Sequence, residues 1–192
     1  HLRSPRTIAI DGGRQPVALI RQAYYEVLPH QKIEALMRIF DLETPGPTIV
    51  FCRTRKGCDE VGERMAAQGF LADRLHGDLT QPDRDRVMKR FKEGVVDILV
   101  ATDVAARGLD IETVTHVINF DVPWDAESYT HRIGRTGRAG REGDALMLIE
   151  PRERRHLRII ERATGNRIRP AKIPTLADIK VRRAERLKEQ LA

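Results

Sequence analysis

Two runs set the frame for this chain: residues 48–52 (TIVFC) and 95–101 (VVDILVA), nearly continuous apolar stretches too short to be helices. A strand without polar alternation is buried on both faces, as in a parallel sheet covered by helices on each side. The segments around these runs fit that frame. Residues 20–27 (IRQAYYEV) read as a strand, and Pro29 opens a helix with Ile33, Leu36, Met37 and Phe40 on one face. Thr44-Pro45-Gly46-Pro47 breaks that helix. A helix over roughly 55–67 ends at Gly69, a strand over 70–75 follows, and Asp78 or Thr80 can cap a helix running to about Lys92 before Gly94. Strands at 115–120 and 144–149 flank a short helix near 126–133. Residues 6–10 read as a further short strand, followed by an Asp11-Gly12-Gly13 turn. This alternation predicts an α/β fold, a three-layer α/β/α domain around a mostly parallel sheet.

The C-terminal segment differs in character. Residues 1–149 hold 21 basic and 22 acidic side chains, a balance of −1, and residues 150–192 hold 13 and 6, a balance of +7, so the tail carries the whole excess behind the net charge of +6. It reads as helical to about Ala163, with Gly165 as a stop and Thr175 capping a last helix. The spacing therefore divides the chain into a linker or first strand (1–19), a main domain (20–150) and a basic helical extension (151–192). Clustered arginines suit a polyanion, and a solvated helix face is the bland alternative. No stretch approaches the roughly 20 apolar residues of a membrane helix. Cys52 and Cys58 do not make a metal quartet, so a reducing, cytoplasmic setting is the expectation, with Cys52 a small buried hydrophobe. No signal peptide is visible, and a start at His1 reads as a piece of something longer.

Open parallel sheets bind ligands beyond the carboxyl ends of their strands. Four loops stand out there. Residues 131–143 (HRIGRTGRAGREG) alternate arginines at 132, 135, 138 and 141 with glycines at 134, 137, 140 and 143. Glycines let a backbone approach a ligand closely, and arginines offer a planar fork for phosphate oxygens. The alternatives are a flexible basic loop, an RGG-like segment, or an arginine finger on a transferring phosphoryl group. Residues 101–110 (ATDVAARGLD) follow the strongest strand; Thr102 suits a phosphate, Asp103 a helix cap, and Asp110 a sugar hydroxyl or another cap. In 76–84 (HGDLTQPDR), Gln81 and Arg84 share a helix face, and His76 has no partner at metal spacing. Residues 51–56 (FCRTRK) end a strand with a hydroxyl and three cations.

ATDVAARGLD, HRIGRTGR, HGD followed by Q-x-x-R, and FCRTR, in that order, resemble the second RecA-like domain of a DEAD-box RNA helicase over roughly residues 20–150. The segment PRERRHLRIIERATG resembles the bacterial cold-shock and ribosome-assembly branch more loosely. The resemblance implies an ATP-dependent RNA helicase in which this domain closes on a first domain, with ATP and RNA across the cleft. It implies that Arg135 and Arg138 reach the γ-phosphate, Arg135 first, and that Asp110 with Gly108 holds the ribose side of the nucleotide. It places RNA on Arg53, Thr54, Gly77, Arg84 and Thr102, and gives His131 and Arg132 the task of tying the loop to the first domain and to neighbouring motifs. The sequence holds no G-x-x-x-x-G-K-[ST] loop and no Asp-Glu-Ala-Asp box. Mg²⁺ ligands are thus expected on the first domain, and the chain alone is expected not to turn over ATP. Other readings are a non-catalytic RNA- or protein-binding module and a DNA helicase of the same domain type. The extension can add RNA contacts, pack, or carry a homodimer.

Overall fold

The computed structural model describes residues 19–43, 45–107, 111 and 113–191. The strand expected at 6–10 and its turn lie outside them, as do Gly108 and Asp110. Among the described residues the chain runs β1 (Ile20–Glu26), α1 (Lys32–Glu43), β2 (Thr48–Cys52), α2 (Arg55–Ala67), β3 (Ala72–Leu75), α3 (Gln81–Lys92), β4 (Ile98–Thr102), α4 (Asp103–Ala106), β5 (His116–Asn119), α5 (Ala126–Ile133), β6 (Gly143–Ile149), α6 (Arg154–Thr164), β7 (Arg169–Ala171) and α7 (Leu176–Leu191). The seven strands form one sheet in the order β3-β4-β2-β5-β6-β1-β7, and every pairing is parallel.

The period of two along the central strands splits the core into layers. Val50, Cys52, Ile98, Val100, Ile118, Leu146 and Leu148 face α1 and α2. Ile49, Phe51, Leu99, Ala101 and Val117 face α3 and α4. Ala145, Met147 and Ile149 face α5 and α6. Cys52 is fully buried as expected, and the Cys58 thiol donates to the Val100 carbonyl at 3.0 Å. Burial pushes the Cys58 thiol up to about 11 and that of Cys52 well above its ordinary value. Both thiols are therefore unreactive packing groups.

The fold continues past Glu150. Leu157 and Ile160 of α6, with Ile168, pack into the same layer as Tyr129 and Ile133. β7 pairs with β1, and α7 lies on α1 with Ile179 buried. The residues expected as a basic helical extension (151–192) thus pack onto the main domain. β7 escapes a sequence reading because it is three residues long, is mostly exposed and contains Pro170, which only an edge strand tolerates. The strand expected at 95–101 begins only at Ile98, because the backbone N–H groups of Val95 and Val96 are held by the Arg90 carbonyl.

Candidate functional site

The carboxyl ends of β3, β4, β2 and β5 lie side by side, which lines up four loops along one rim. After β3, His76 is buried with its Nε2 3.1 Å from Asp59 Oδ1, a structural role. Gly77 follows in the open, with no heavy atom within 4 Å of where a Cβ would stand. Thr80 caps α3 by accepting from the Asp83 N–H; Asp78 instead pairs with Arg55. Arg84, one turn in, donates to the Ala105 carbonyl at 3.3 Å and so ties α3 to α4. At the end of β4, Thr102 is buried and makes no capping bond. At the end of β2, the Arg53 N–H donates to Asp121 Oδ2 at 2.8 Å, its guanidinium to the Val122 carbonyl at 3.1 Å, and its Nη2 stands 3.6 Å from Glu153. The Thr54 hydroxyl oxygen caps α2 through the Gly57 N–H.

A cleft of about 480 Å³ opens between α4 and α5, floored by Phe51. Glu127, His131 and Arg135 line it at four-residue spacing, opposite Asp103 and Arg107. Arg135 is half-buried; burial, then the neighbouring Arg138 cation, lowers its pKa from the ordinary value. It still carries full charge at neutral pH. Arg138 folds back, its Nε donating to the Gly134 carbonyl at 2.9 Å, and both Arg135 and Arg138 make further interactions. Two adjacent cations beside a cleft can neutralise an anion without moving a proton.

One expectation needs correction. Asp103 does not cap a turn; its carboxylate takes a bidentate pair from Arg132 at 2.6 and 2.7 Å. Arg132 is only 2% exposed, and also donates to Asn119 Oδ1 at 3.1 Å and the Asp121 carbonyl at 2.7 Å, over the Phe51 ring. It ties strand ends together inside the domain with four of its five N–H donors. His131 remains exposed on the cleft wall.

The glycines of the loop also divide differently from their expected role. At Gly143 a Cβ would stand 2.2 Å from Thr136 Oγ1, and at Gly137, where φ is +67°, 2.7 Å from Ile20 Cγ1. These two serve packing within the domain. Thr136 itself is buried, its hydroxyl 2.8 Å from the Val114 and Thr115 carbonyls, which pins the loop to the start of β5.

Residues 31–140 match the model of the helicase conserved C-terminal domain. The chain belongs to this family. The helicase domain is 48% identical over 174 residues to the ATP-dependent RNA helicase CshA of Listeria monocytogenes, a match covering 91% of this chain and 34% of that protein. A DEAD box protein from Methanococcus jannaschii shares its fold with a TM-score of 0.76 at 42% identity, over 82% of this chain and 43% of that one. Dbp5 of S. cerevisiae bound to RNA and ADP BeF3 gives a TM-score of 0.76 at 33% identity, over 88% and 45%. It is thus a DEAD-box C-terminal helicase domain, and it spans about a third of the length of the curated relatives it matches.

Within the helicase domain, the structure brings Arg135, Arg138, His131 and Arg132 to the cleft region, and Arg53, Thr54, Gly77, Arg84 and Thr102 to the rim. Sequence reasoning missed Asn119 and Asp121, which orient Arg132 and Arg53, and Trp124, whose ring is 67% exposed with the Arg53 guanidinium 4.6 Å from its centroid. The signal for Trp124 was available: the chain's one tryptophan stands in a short loop just past a strand end.

Proposed function

We propose that this domain is the second half of an ATP-dependent RNA helicase engine, which couples ATP binding and hydrolysis to local separation of an RNA duplex. The observation that carries the proposal is the half-buried Arg135 on the cleft wall with Arg138 beside it. A pair of cations held there, with no phosphate loop in the sequence, suits a site completed by a second body. Arg135 is the arginine finger and meets charge developing on the transferring phosphoryl group; Arg138 supports it. Asp110 and Gly108 hold the ribose side. Arg53, Thr54, Gly77, Arg84 and Thr102 form the RNA track along the rim, contacting phosphates and sugars rather than bases. His131 faces the first domain, and Arg132 acts through position, fixing α5 and therefore Arg135.

ATP supplies the phosphoryl group whose transfer resets the cycle. The Mg²⁺ ligands belong to the first domain in this reading; among the described residues no group of three His, Cys, Asp or Glu stands together to hold a metal ion. Because RNA and ATP both favour the closed pair of domains, each raises the other's affinity. A kinked single strand fits the closed pair and a straight duplex does not. The names of the Listeria and yeast relatives support both ligands. The test is a pair of dyes, one on this domain and one on the first domain of the parent protein. High energy transfer only when RNA and ADP BeF3 are added together is the expected outcome. Unchanged transfer with both present would refute coupled closure.

A further inference from the structure

α6 carries a cationic face that this site leaves unused. Its inward side, Leu157 and Ile160, is core. Its outward side shows Arg155, Arg158, Ile159 and Arg162, spaced so that they form one exposed stripe about 10 Å long. The nearby carboxylates are engaged elsewhere: Glu26 with Arg154, Glu150 with Arg152, Glu153 with Arg53, and Glu161 with the Ile168 N–H. Among the described residues none of the stripe's three arginines forms an ion pair.

The helix that bears the stripe is seated beside the rim. His156 Nε2 lies 2.8 Å from the Pro123 carbonyl, which seats the first turn of α6 against the loop bearing Trp124. The indole is 67% exposed and is backed by the guanidinium of Arg53, itself assigned to the RNA track. An exposed aromatic ring followed by a row of arginines is what single-stranded nucleic acid needs: a stacking surface, then forks for phosphates. A protein partner would need an apolar patch to bury, and the stripe offers Ile159 alone.

We infer that RNA leaving the rim stacks a base on Trp124 and lays its backbone along Arg155, Arg158 and Arg162 of α6. This rests on the RNA reading of the rim and extends the track beyond it. Trp124 is the only tryptophan of the chain, so its emission reports this one spot. The 192-residue chain is titrated with oligouridylates of about 5 and about 15 nucleotides, the shorter filling the rim alone. Only the longer RNA should quench Trp124. In Arg155→Gln/Arg158→Gln/Arg162→Gln, affinity for the longer RNA should fall about tenfold, and the slope of log affinity against log salt should flatten by about 2. Binding of the shorter RNA should not change. Unquenched emission, or an unchanged slope in the triple variant, overturns the inference. If the longer RNA depends on α6 while the shorter one fails to bind, the rim reading falls and the α6 surface stands. A glutamate-rich peptide that needs the three arginines while RNA does not would overturn it in favour of a protein partner.

Discussion

Arg132 and Arg135 stand three residues apart in one motif and do different work. Tyr129, Arg132 and Ile133 are all buried, so Arg132 shares the inward side of α5, while Arg135 lies past its end on the cleft wall. The arginine period was legible in the sequence; the division was not, because the acceptors of Arg132 come from Asp103, Asn119 and Asp121 on other elements. Arg132→Met leaves those acceptors unpaired, and urea unfolding should show a loss of about 3 kcal/mol. The glycines give a similar contrast. Gly143→Ala drives a Cβ into Thr136 and the Gly137 backbone and should cost about 1–3 kcal/mol by the same measurement. Gly77→Ala meets open space, so the unfolding midpoint should stay while RNA affinity falls several-fold. A drop in the midpoint would make Gly77 a structural glycine instead.

Among the elements, the buried strands β2 and β4 and the capped helices were readable because their signals are local: apolar runs, Thr54 and Thr80 at helix starts, Gly69, Gly94 and Gly165 in the left-handed region at helix ends. β7 and the packing of α6 were not, since both depend on contacts with β1 and α5, distant in sequence. A chain ending at 150 exposes the layer that Leu157, Ile160 and Ile168 cover, each side chain contributing about 1.5–3 kcal/mol. Thermal melts followed by circular dichroism should show no cooperative transition for it, whereas a chain ending at 174 should keep one. A second element-level expectation concerns His116 at the start of β5. Burial lowers its pKa, outweighing the nearby Asp144 and Glu43, which raise it, while Arg21 lowers it further. The folded form thus takes up a proton less readily than the unfolded chain, so stability is full above about pH 6.5 and is lost as pH falls through the depressed value. His116→Asn should flatten the decline of melting temperature between neutral and acidic pH; an identical decline would assign it to other groups.

At the scale of the whole molecule, the proposed function places the RNA track on one rim of a parallel sheet and the cations for a phosphoryl group in the adjoining α4–α5 cleft. Tethering both to one rigid layer means that any body bridging RNA and nucleotide must close against both together. The sheet class alone points to the location of the candidate site, and the motifs name its candidate residues; the ties between loops, such as Arg53 to Asp121 and Arg84 to the Ala105 carbonyl, emerge only in three dimensions. The most direct measurement is RNA-stimulated ATP turnover by the parent protein, wild type beside Arg135→Ala, with ATP binding followed in the same samples. Turnover lower by about 10³-fold or more with ATP still bound is the expected result. Equal turnover in the two proteins would contradict a finger at Arg135 and leave the Gly/Arg loop to RNA contact or structure.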